Sequence, residues 1–204
     1  MKKTIILLFL AFIGYQVQAQ VTVKPGIRAG LNLANFTGSN TDSKADFYVG
    51  GLVGIRFADF YTLQPEITYS RQGADGNFEN EYYLPAPGAA PMRDNDYSIQ
   101  YLSFTVMNKF TLVDGFHAMV GPSMDFRVGD NFESDYGEDV MDIDFAINGG
   151  IGYTMPMGLT IEARYKLGLV DIFGDIYEDD YYYDEDEYDL VLNSVFQLGV
   201  AYTF

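Results

Sequence analysis

The sequence contains no cysteine and no tryptophan, and it has a single histidine. The absence of cysteine excludes a disulfide framework and thiol chemistry. Basic residues are also scarce, because 12 Lys and Arg stand against 29 Asp and Glu, for a formal net charge of −17. A surface this acidic repels phosphates, which argues against DNA or RNA as a partner, and it suits cations or basic partners instead. The chain is rich in aromatic residues, with 17 Tyr and 16 Phe, and both residue types favour β-strands.

An apolar run of ten residues lies near the N terminus, at residues 4–13. It is too short to cross a bilayer as a helix, which needs about 20 apolar residues. Two lysines precede it, and residues 17–19 offer a small residue for cleavage. This pattern predicts a secretory signal peptide over residues 1–19 rather than an uncleaved anchor helix. No cysteine follows the run, which argues against a lipoprotein anchor. Residues 20–204 then form one domain.

The rest of the chain shows eight segments in which apolar residues alternate with polar or small ones. A period of two predicts β-strands with two different faces. In the last strand, for example, Phe196, Leu198 and Val200 share one face, whereas Gln197 and Gly199 share the other. The predicted strands are residues 24–34, 46–57, 61–72, 98–111, 116–128, 143–153, 159–169 and 193–204.

The connections between these strands are alternately long and short. The short turns lie at residues 58–60, 112–115 and 156–158, and the long loops at about 35–45, 73–97, 129–141 and 170–192. Tight turns on one side and long loops on the other are typical of an outer-membrane barrel. We therefore predict an all-β fold: a monomeric, transmembrane, up-and-down antiparallel barrel of eight strands, with extracellular loops and periplasmic termini.

The positions of the basic residues distinguish a membrane barrel from a soluble one. Three basic residues, Lys44, Arg71 and Arg93, fall in loops or at strand ends. The other seven of the mature chain fall on the polar face of the strands: Lys24, Arg28, Arg56, Lys109, Arg127, Arg164 and Lys166. Because a Lys or Arg in lipid costs about 2–4 kcal/mol at mid-membrane, the apolar face is predicted to be the outer, lipid-facing one. Backbone groups in lipid must pair with one another, which requires a closed barrel.

Aromatic residues are predicted to lie at both edges of the apolar band, as in the aromatic girdles of membrane barrels. The turn-side set is Phe57, Phe110, Phe116, Tyr202 and Phe204, and the loop-side set is Phe47, Tyr69, Phe126 and Phe145. Asn108 is an exception, because its register places a polar side chain outward. Either a bulge shifts the register there or Asn108 lies at the membrane interface.

Several segments resemble the small outer-membrane β-barrel family of Bacteroidetes, often called PorT-like. They are residues 29–32 (AGLN), residues 63–73 (LQPEITYSRQG), Tyr101-Leu102 with Lys109, and the terminal residues 202–204 (YTF). The resemblance covers essentially the whole mature chain and implies the barrel fold and an outer-membrane location. Phe204 resembles the C-terminal signal that the barrel-insertion machinery reads during biogenesis.

The predicted inward face carries a lumen charge network of seven basic and four acidic residues. Its members are Lys24, Arg28, Arg56, Glu66, Lys109, Asp125, Arg127, Asp144, Glu162, Arg164 and Lys166. An eight-stranded barrel holds its own side chains or one small ligand, and unpaired buried charge is costly. We therefore expect a salt-bridged plug. The excess of three positive charges leaves a narrow conducting path or a small anion site open as alternatives.

The fourth loop is the most acidic segment, with ten carboxylates and five tyrosines in residues 171–189. Carboxylate oxygens are ligands for Ca²⁺ and Mg²⁺, but no EF-hand-like register is present. A solvated loop, weak divalent-cation binding and a protein-docking surface all remain open. The candidate cation ligands are Asp179, Asp180, Asp184, Glu185, Asp186 and Glu187.

No catalytic or cofactor site is predicted. The one histidine, His117, lies about 26 Å along the strand from Asp125, at about 3.3 Å per residue, so that carboxylate cannot orient it. We expect a non-enzymatic barrel with a structural or surface-interaction role, surrounded by outer-membrane lipid. The alternatives are an accessory subunit of a secretion or uptake complex with an envelope partner, a narrow small-solute porin, and a lipid-modifying or proteolytic enzyme.

Overall fold

The computed structural model describes residues 21–37, 42–76, 95–131, 141–172 and 191–204. These residues form a closed barrel in which eight strands follow chain order, each antiparallel to its neighbours. The strands are β1 (Thr22–Phe36), β2 (Asp42–Ala58), β3 (Tyr61–Gly76), β4 (Asn95–Val113), β5 (Phe116–Asp130), β6 (Ile143–Thr154), β7 (Leu159–Gly168) and β8 (Asn193–Thr203). The predicted all-β fold, an antiparallel up-and-down barrel of eight strands, is confirmed. The predicted signal peptide lies outside the described residues.

No helix in the described part of the chain is long and apolar enough to span a bilayer. The barrel closes through β1 and β8, which pair from Gly26↔Thr203 to Phe36↔Asn193. Short turns join β2 to β3, β4 to β5 and β6 to β7. We call this end of the barrel the turn end and the opposite end the loop end.

The strands β2, β3 and β4 extend further toward the loop end than the sequence predicted. The β3–β4 ladder continues to Gly76↔Asn95, and β2 begins at Asp42. These extensions contain Gly and Asp and lack a continuous apolar face, so their periodicity is weak. Backbone pairing extends the hairpin there without an alternating apolar face, and inward side chains such as Ala74 pack at its base.

The predicted faces of the strands are confirmed by burial. In β7, Glu162, Arg164 and Lys166 are buried in the lumen, whereas Ile161 and Tyr165 are exposed on the outside. The alternation in β8 predicts Ser194 on the same outer face as Phe196, yet Ser194 is buried. The reason is local, because the Tyr165 hydroxyl lies 2.7 Å from its Oγ and the ring covers it.

The aromatic girdles consist of rings in mutual contact. At the turn end, Tyr61 lies between Phe57 and Phe110, at centroid distances of 6.0 and 5.5 Å. Toward the loop end, Phe47 contacts Tyr69 at 6.2 Å. Asn108 lies in an unshifted part of the β4–β5 ladder, and its Oδ1 accepts a 2.8 Å hydrogen bond from the Tyr61 hydroxyl. Asn108 is therefore part of the turn-end girdle and does not mark a bulge.

Two glycines make room for Tyr48, whose ring is buried in the lumen. Gly30 and Gly199 are direct partners in the β1–β8 ladder, and the hydroxyl of Tyr48 from β2 reaches over them. A Cβ atom at Gly199 would lie 1.8 Å from the Tyr48 hydroxyl. The Tyr48 ring in turn packs against Arg28, whose Cζ lies 4.6 Å from the ring centroid.

We expect Gly199→Ala to destabilise the barrel by about 1–3 kcal/mol, the usual range for overpacking a tightly filled interior. Urea unfolding of the detergent-refolded protein, followed by the circular dichroism of the β-sheet, measures this. Gly149→Ala is the matched control, because a Cβ there faces outward and meets nothing within 4 Å. Equal midpoints for the two variants would contradict the packing described here.

Candidate functional site

The centre of the lumen is occupied by two arginines and two glutamates from three strands. This Arg–Glu cluster consists of Arg28, Glu66, Glu162 and Arg164, whose side chains are at most 3% exposed. Arg164 donates through Nη2 to Glu66 Oε1 and Glu162 Oε2, each at 2.9 Å. Arg28 donates to Glu66 through Nη1, and its Nη2 lies 2.9 Å from Glu162 Oε1 without hydrogen-bond geometry.

Glu66 is the common acceptor of this cluster. It accepts hydrogen bonds from Arg28, from both Nη atoms of Arg164 and from Gln64 Nε2 at 2.8 Å. Two cations and two anions make the cluster neutral, and charge-assisted hydrogen bonds of this kind are stronger than neutral ones. Because β1, β3 and β7 all contribute, the cluster connects opposite walls of the barrel and fills its axis.

A second buried ionic group lies nearer the loop end. Lys166 forms an ion pair with Asp125 Oδ2, and Asp125 is the direct ladder partner of Asp144. Both carboxylates are buried, at 0% and 3% exposure. Asp144 Oδ1 accepts a 3.4 Å hydrogen bond from the Val170 backbone N–H.

A cluster of amide side chains closes the gap left by a bulge in β2. The β2–β3 register shifts between Ser43 and Tyr48, so the ladder is interrupted there. Asn32 compensates, because its Nδ2 donates to the Arg71 carbonyl at 2.6 Å and to Ser70 Oγ at 2.9 Å. Its Oδ1 accepts from Gln197 Nε2 at 2.9 Å, which ties β1 to β8. Asn32 belongs to the AGLN segment of the family resemblance, but no structural role was predicted for it, although its inward position on β1 was a signal.

An apolar cluster seals the lumen at the loop end. This apolar cap consists of Phe36, Ala74, Ile99, Tyr101 and Ile172, with Tyr97 and Val191 packed against it. Ile172 comes from the base of the fourth loop, and its N–H donates to the Val191 carbonyl at 3.0 Å. The same residue accepts from the Met141 N–H at 2.9 Å, which joins the bases of the third and fourth loops.

Three predicted members of the lumen charge network lie at the rims of the barrel instead. Lys24 and Arg56 are exposed at the turn end, where Arg56 pairs with Asp59 of the turn at 3.3 Å. Arg127 lies near the loop end and forms an ion pair with Asp142 at 2.6 Å. Their long side chains reach water from the ends of the strands. Lys109 remains partly buried and donates to Thr154 Oγ1 at 3.2 Å.

Lys44 departs from its prediction in the opposite direction. It was expected in a loop, but it is part of β2, is buried, and donates to the Tyr97 carbonyl at 3.1 Å. The expected excess of positive charge is also corrected. Within the described ranges, the buried charged side chains are the basic Arg28, Lys44, Arg164 and Lys166 and the acidic Glu66, Asp125, Asp144 and Glu162. Equal numbers of both signs remove the charge argument for an anion site.

His117 is buried at the turn end, and its Nδ1 lies 3.0 Å from the Gly115 carbonyl oxygen. A Cβ atom at Gly152 would lie 2.5 Å from its Nε2, so the glycine makes room for the ring. No carboxylate or hydroxyl of the described residues forms a hydrogen bond with Nε2. This geometry orients the imidazole without assembling a nucleophile–base pair.

The candidate cation ligands Asp179, Asp180, Asp184, Glu185, Asp186 and Glu187 lie outside the described residues, as does Arg93. Within the residues that are described, no group of three or more His, Asp and Glu side chains is arranged to hold a metal ion. Phe204 is described and contacts Tyr202, with the ring centroids 5.2 Å apart.

Comparisons with known proteins agree with the barrel architecture. The outer membrane protein beta-barrel domain family matches residues 18–174. Neisserial surface protein A has a similar structure, with 15% identity, 89% of this chain and 97% of that chain covered, and a TM-score of 0.49. The nanodisc structure of Ail, the attachment invasion locus protein of Yersinia pestis, shows 14% identity, with 90% of this chain and 100% of that chain covered and a TM-score of 0.48. No curated protein sequence matches the chain significantly.

We expect Glu66→Gln to lower the free energy of unfolding by about 3–5 kcal/mol, because one buried guanidinium then lacks a countercharge. Urea unfolding of the refolded barrel measures the loss. Asp59→Asn is the matched control, since it removes a carboxylate from the exposed pair with Arg56 and exposed pairs contribute little. A Glu66→Gln midpoint as close to wild type as that of Asp59→Asn would contradict a structural role for the cluster.

Proposed function

The chain belongs to the outer membrane protein beta-barrel domain family, and from this premise we propose that it is a closed, non-enzymatic barrel that holds its loops at the membrane surface for contact with other molecules. The family makes it an integral outer-membrane protein in contact with membrane lipid. The proposal concerns what the barrel does there: the strands act as a rigid support, and the loops carry the interaction.

The observation that carries the proposal is the double closure of the lumen. The Arg–Glu cluster fills the axis of the barrel with hydrogen-bonded side chains from β1, β3 and β7. The apolar cap closes the loop end above it. A solute would have to break several charge-assisted hydrogen bonds and separate packed apolar side chains. The Arg–Glu cluster and the apolar cap therefore both argue against a porin.

The distribution of charge supports a role for the loops. The described lumen balances its buried charges, so the acidity of the chain belongs to its surface and above all to residues 171–189. Five tyrosines are interspersed among the carboxylates of that segment, and Tyr combines a large contact area with a polar tip. A basic or cation-bridged partner fits this chemistry.

The orientation is part of the same proposal. An even number of strands brings Thr22 and Phe204 to the turn end, beside the three short connections. Barrels of bacterial outer membranes have short periplasmic turns and longer extracellular loops. The termini and turns would therefore face the periplasm, and the acidic loops would face outward.

A secretion or uptake complex is the second candidate. It rests on the PorT-like resemblance of residues 63–73 and the terminal residues 202–204. Fold-level resemblance is weak evidence for a specific function, and cross-linking in intact outer membranes separates the two candidates. A recurrent envelope or secretion partner favours the accessory role, whereas contacts with external molecules through the loops favour the surface role.

We expect the refolded wild-type barrel to give no sustained current in planar lipid bilayers. Both closures must be disrupted before water and ions form a continuous path. A general porin reconstituted in parallel shows that the bilayers report conductance. Steady, large single-channel currents from the wild-type barrel would overturn the proposal of a closed support.

We expect the fourth loop to be dispensable for the barrel and necessary for its contacts. Residues 173–190 are replaced by a neutral Gly/Ser/Asn sequence of the same length, which keeps the span and removes the carboxylates and tyrosines. The urea midpoint should stay at the wild-type value, while cross-links to partners in intact membranes should fall at least tenfold. Unchanged cross-links, or cross-links that map to the strands, would place the contact elsewhere.

A further inference from the structure

Four consecutive ladder partners on β3, β4, β5 and β6 place a row of oxygen atoms on the inner wall. Thr68 pairs with Ser103, Ser103 with Asp125, and Asp125 with Asp144. We call these four residues the oxygen row. All four side chains face the lumen and are more than nine-tenths buried.

Each member of the oxygen row has a buried oxygen atom without a hydrogen-bond partner. These atoms are Thr68 Oγ1, Ser103 Oγ, Asp125 Oδ1 and Asp144 Oδ2, whereas Asp125 Oδ2 contacts Lys166 Nζ in their ion pair. Buried polar atoms are nearly always satisfied by protein, water or an ion. Four neighbouring exceptions along one row are the features of a site for a polar ligand.

The charge of the row is not balanced locally. Asp125 and Asp144 carry two negative charges side by side, and Lys166 supplies one positive charge. The next cations along these strands are engaged elsewhere, because Arg127 binds Asp130 and Asp142 and Arg164 binds Glu66 and Glu162. Lys44 completes the overall balance of the buried charges, but it donates to the Tyr97 carbonyl, so the Asp125–Asp144–Lys166 group by itself carries one excess negative charge, and excess charge in a buried group is costly.

A glycine lies beside the Asp144 carboxylate on the neighbouring strand. Gly168 faces the lumen there, and a Cβ atom on it would lie 2.7 Å from Asp144 Oδ2. That buried oxygen therefore has no β7 side chain packed against it at this position. Tyr101 of the apolar cap lies above the row, two residues from Ser103 on β4, and its ring centroid is 5.9 Å from Lys166 Nζ.

We propose that the oxygen row binds one small monovalent cation between Asp125 and Asp144, with the Ser103 hydroxyl as a third ligand or as a support for its water; Thr68 lies two strands from Asp125, about 10 Å away, and does not reach the ion. Hard oxygen ligands select hard cations such as Na⁺. A single positive charge, together with Lys166, neutralises the two carboxylates. A divalent ion would leave an excess positive charge instead. The site is separate from the acidic loops, and the inference is independent of the proposed surface role.

The test is the thermal unfolding of the full-length mature barrel, refolded in detergent in sodium chloride or in N-methylglucamine chloride at the same ionic strength. A chelator is present, so that divalent ions at the loops do not contribute. Because a ligand that binds only the folded state stabilises it by mass action, the Tm should rise with sodium concentration. We expect about 3–5 °C for each tenfold increase above half-saturation.

Asp144→Asn should abolish this sodium dependence, and in N-methylglucamine chloride its Tm should equal or exceed that of the wild type, because the excess charge is gone. Ser103→Ala removes a ligand oxygen and no charge, so it should raise the sodium concentration for half-maximal effect several-fold. Asp114→Asn is the control, since it removes a carboxylate from an exposed turn and should leave the sodium response unchanged.

Two outcomes would overturn the proposal. If the wild type has the same Tm in both salts, the carboxylate pair is satisfied by a proton and no cation binds. If Asp144→Asn or Ser103→Ala keeps the full sodium response, the stabilising ions bind elsewhere on the acidic surface. A sodium response that Asp144→Asn abolishes, that Ser103→Ala shifts, and that Asp114→Asn leaves unchanged supports the site.

Discussion

The pairing of β1 with β8 is the constraint on which the rest of this molecule depends. In lipid no water satisfies an open strand edge, so every spanning strand must find two neighbours. Once eight strands close into a ring, each side chain faces either the lumen or the lipid, because successive residues point to opposite faces of the strand. The lipid-facing side is apolar. Most polar and charged side chains of the spanning strands are then gathered into a space only a few side chains wide.

Packing in that space follows electrostatics and hydrogen bonding more than hydrophobic contact. A soluble domain buries apolar groups and tolerates few charges, whereas this barrel buries guanidinium, ammonium and carboxylate groups against each other. Glu66 holds two arginines at once, and Asn32 replaces backbone hydrogen bonds at the β2 bulge. The glycines opposite Tyr48 and Arg164 have a related role, because a Cβ atom at those wall positions would collide with the large side chain from another strand. The interior is thus specified by pairs of residues from different strands.

Which residues face inward could be predicted from the sequence, but their depth and their partners could not. Parity alone placed Arg28, Glu66 and Arg164 on the inner face, since one residue of slip would expose every charge to lipid. Depth depends on strand tilt and register across the whole ring, so Lys24 and Arg56 were assigned to the lumen although they lie at its rim. Lys44 was missed for a local reason: the bulge after Ser43 interrupts the alternation that would have identified its strand.

The hydrogen bond between Ile172 and Val191 has a consequence for how this protein can change over generations. It brings the two ends of the fourth loop together and attaches them to the sealed mouth. The entropic cost of closing a loop grows only slowly with its length. The fold should therefore tolerate insertions, deletions and complete replacement of the segment between Ile172 and Val191. Such a segment is free to diversify without loss of the barrel, and it is a natural position for inserting foreign sequences.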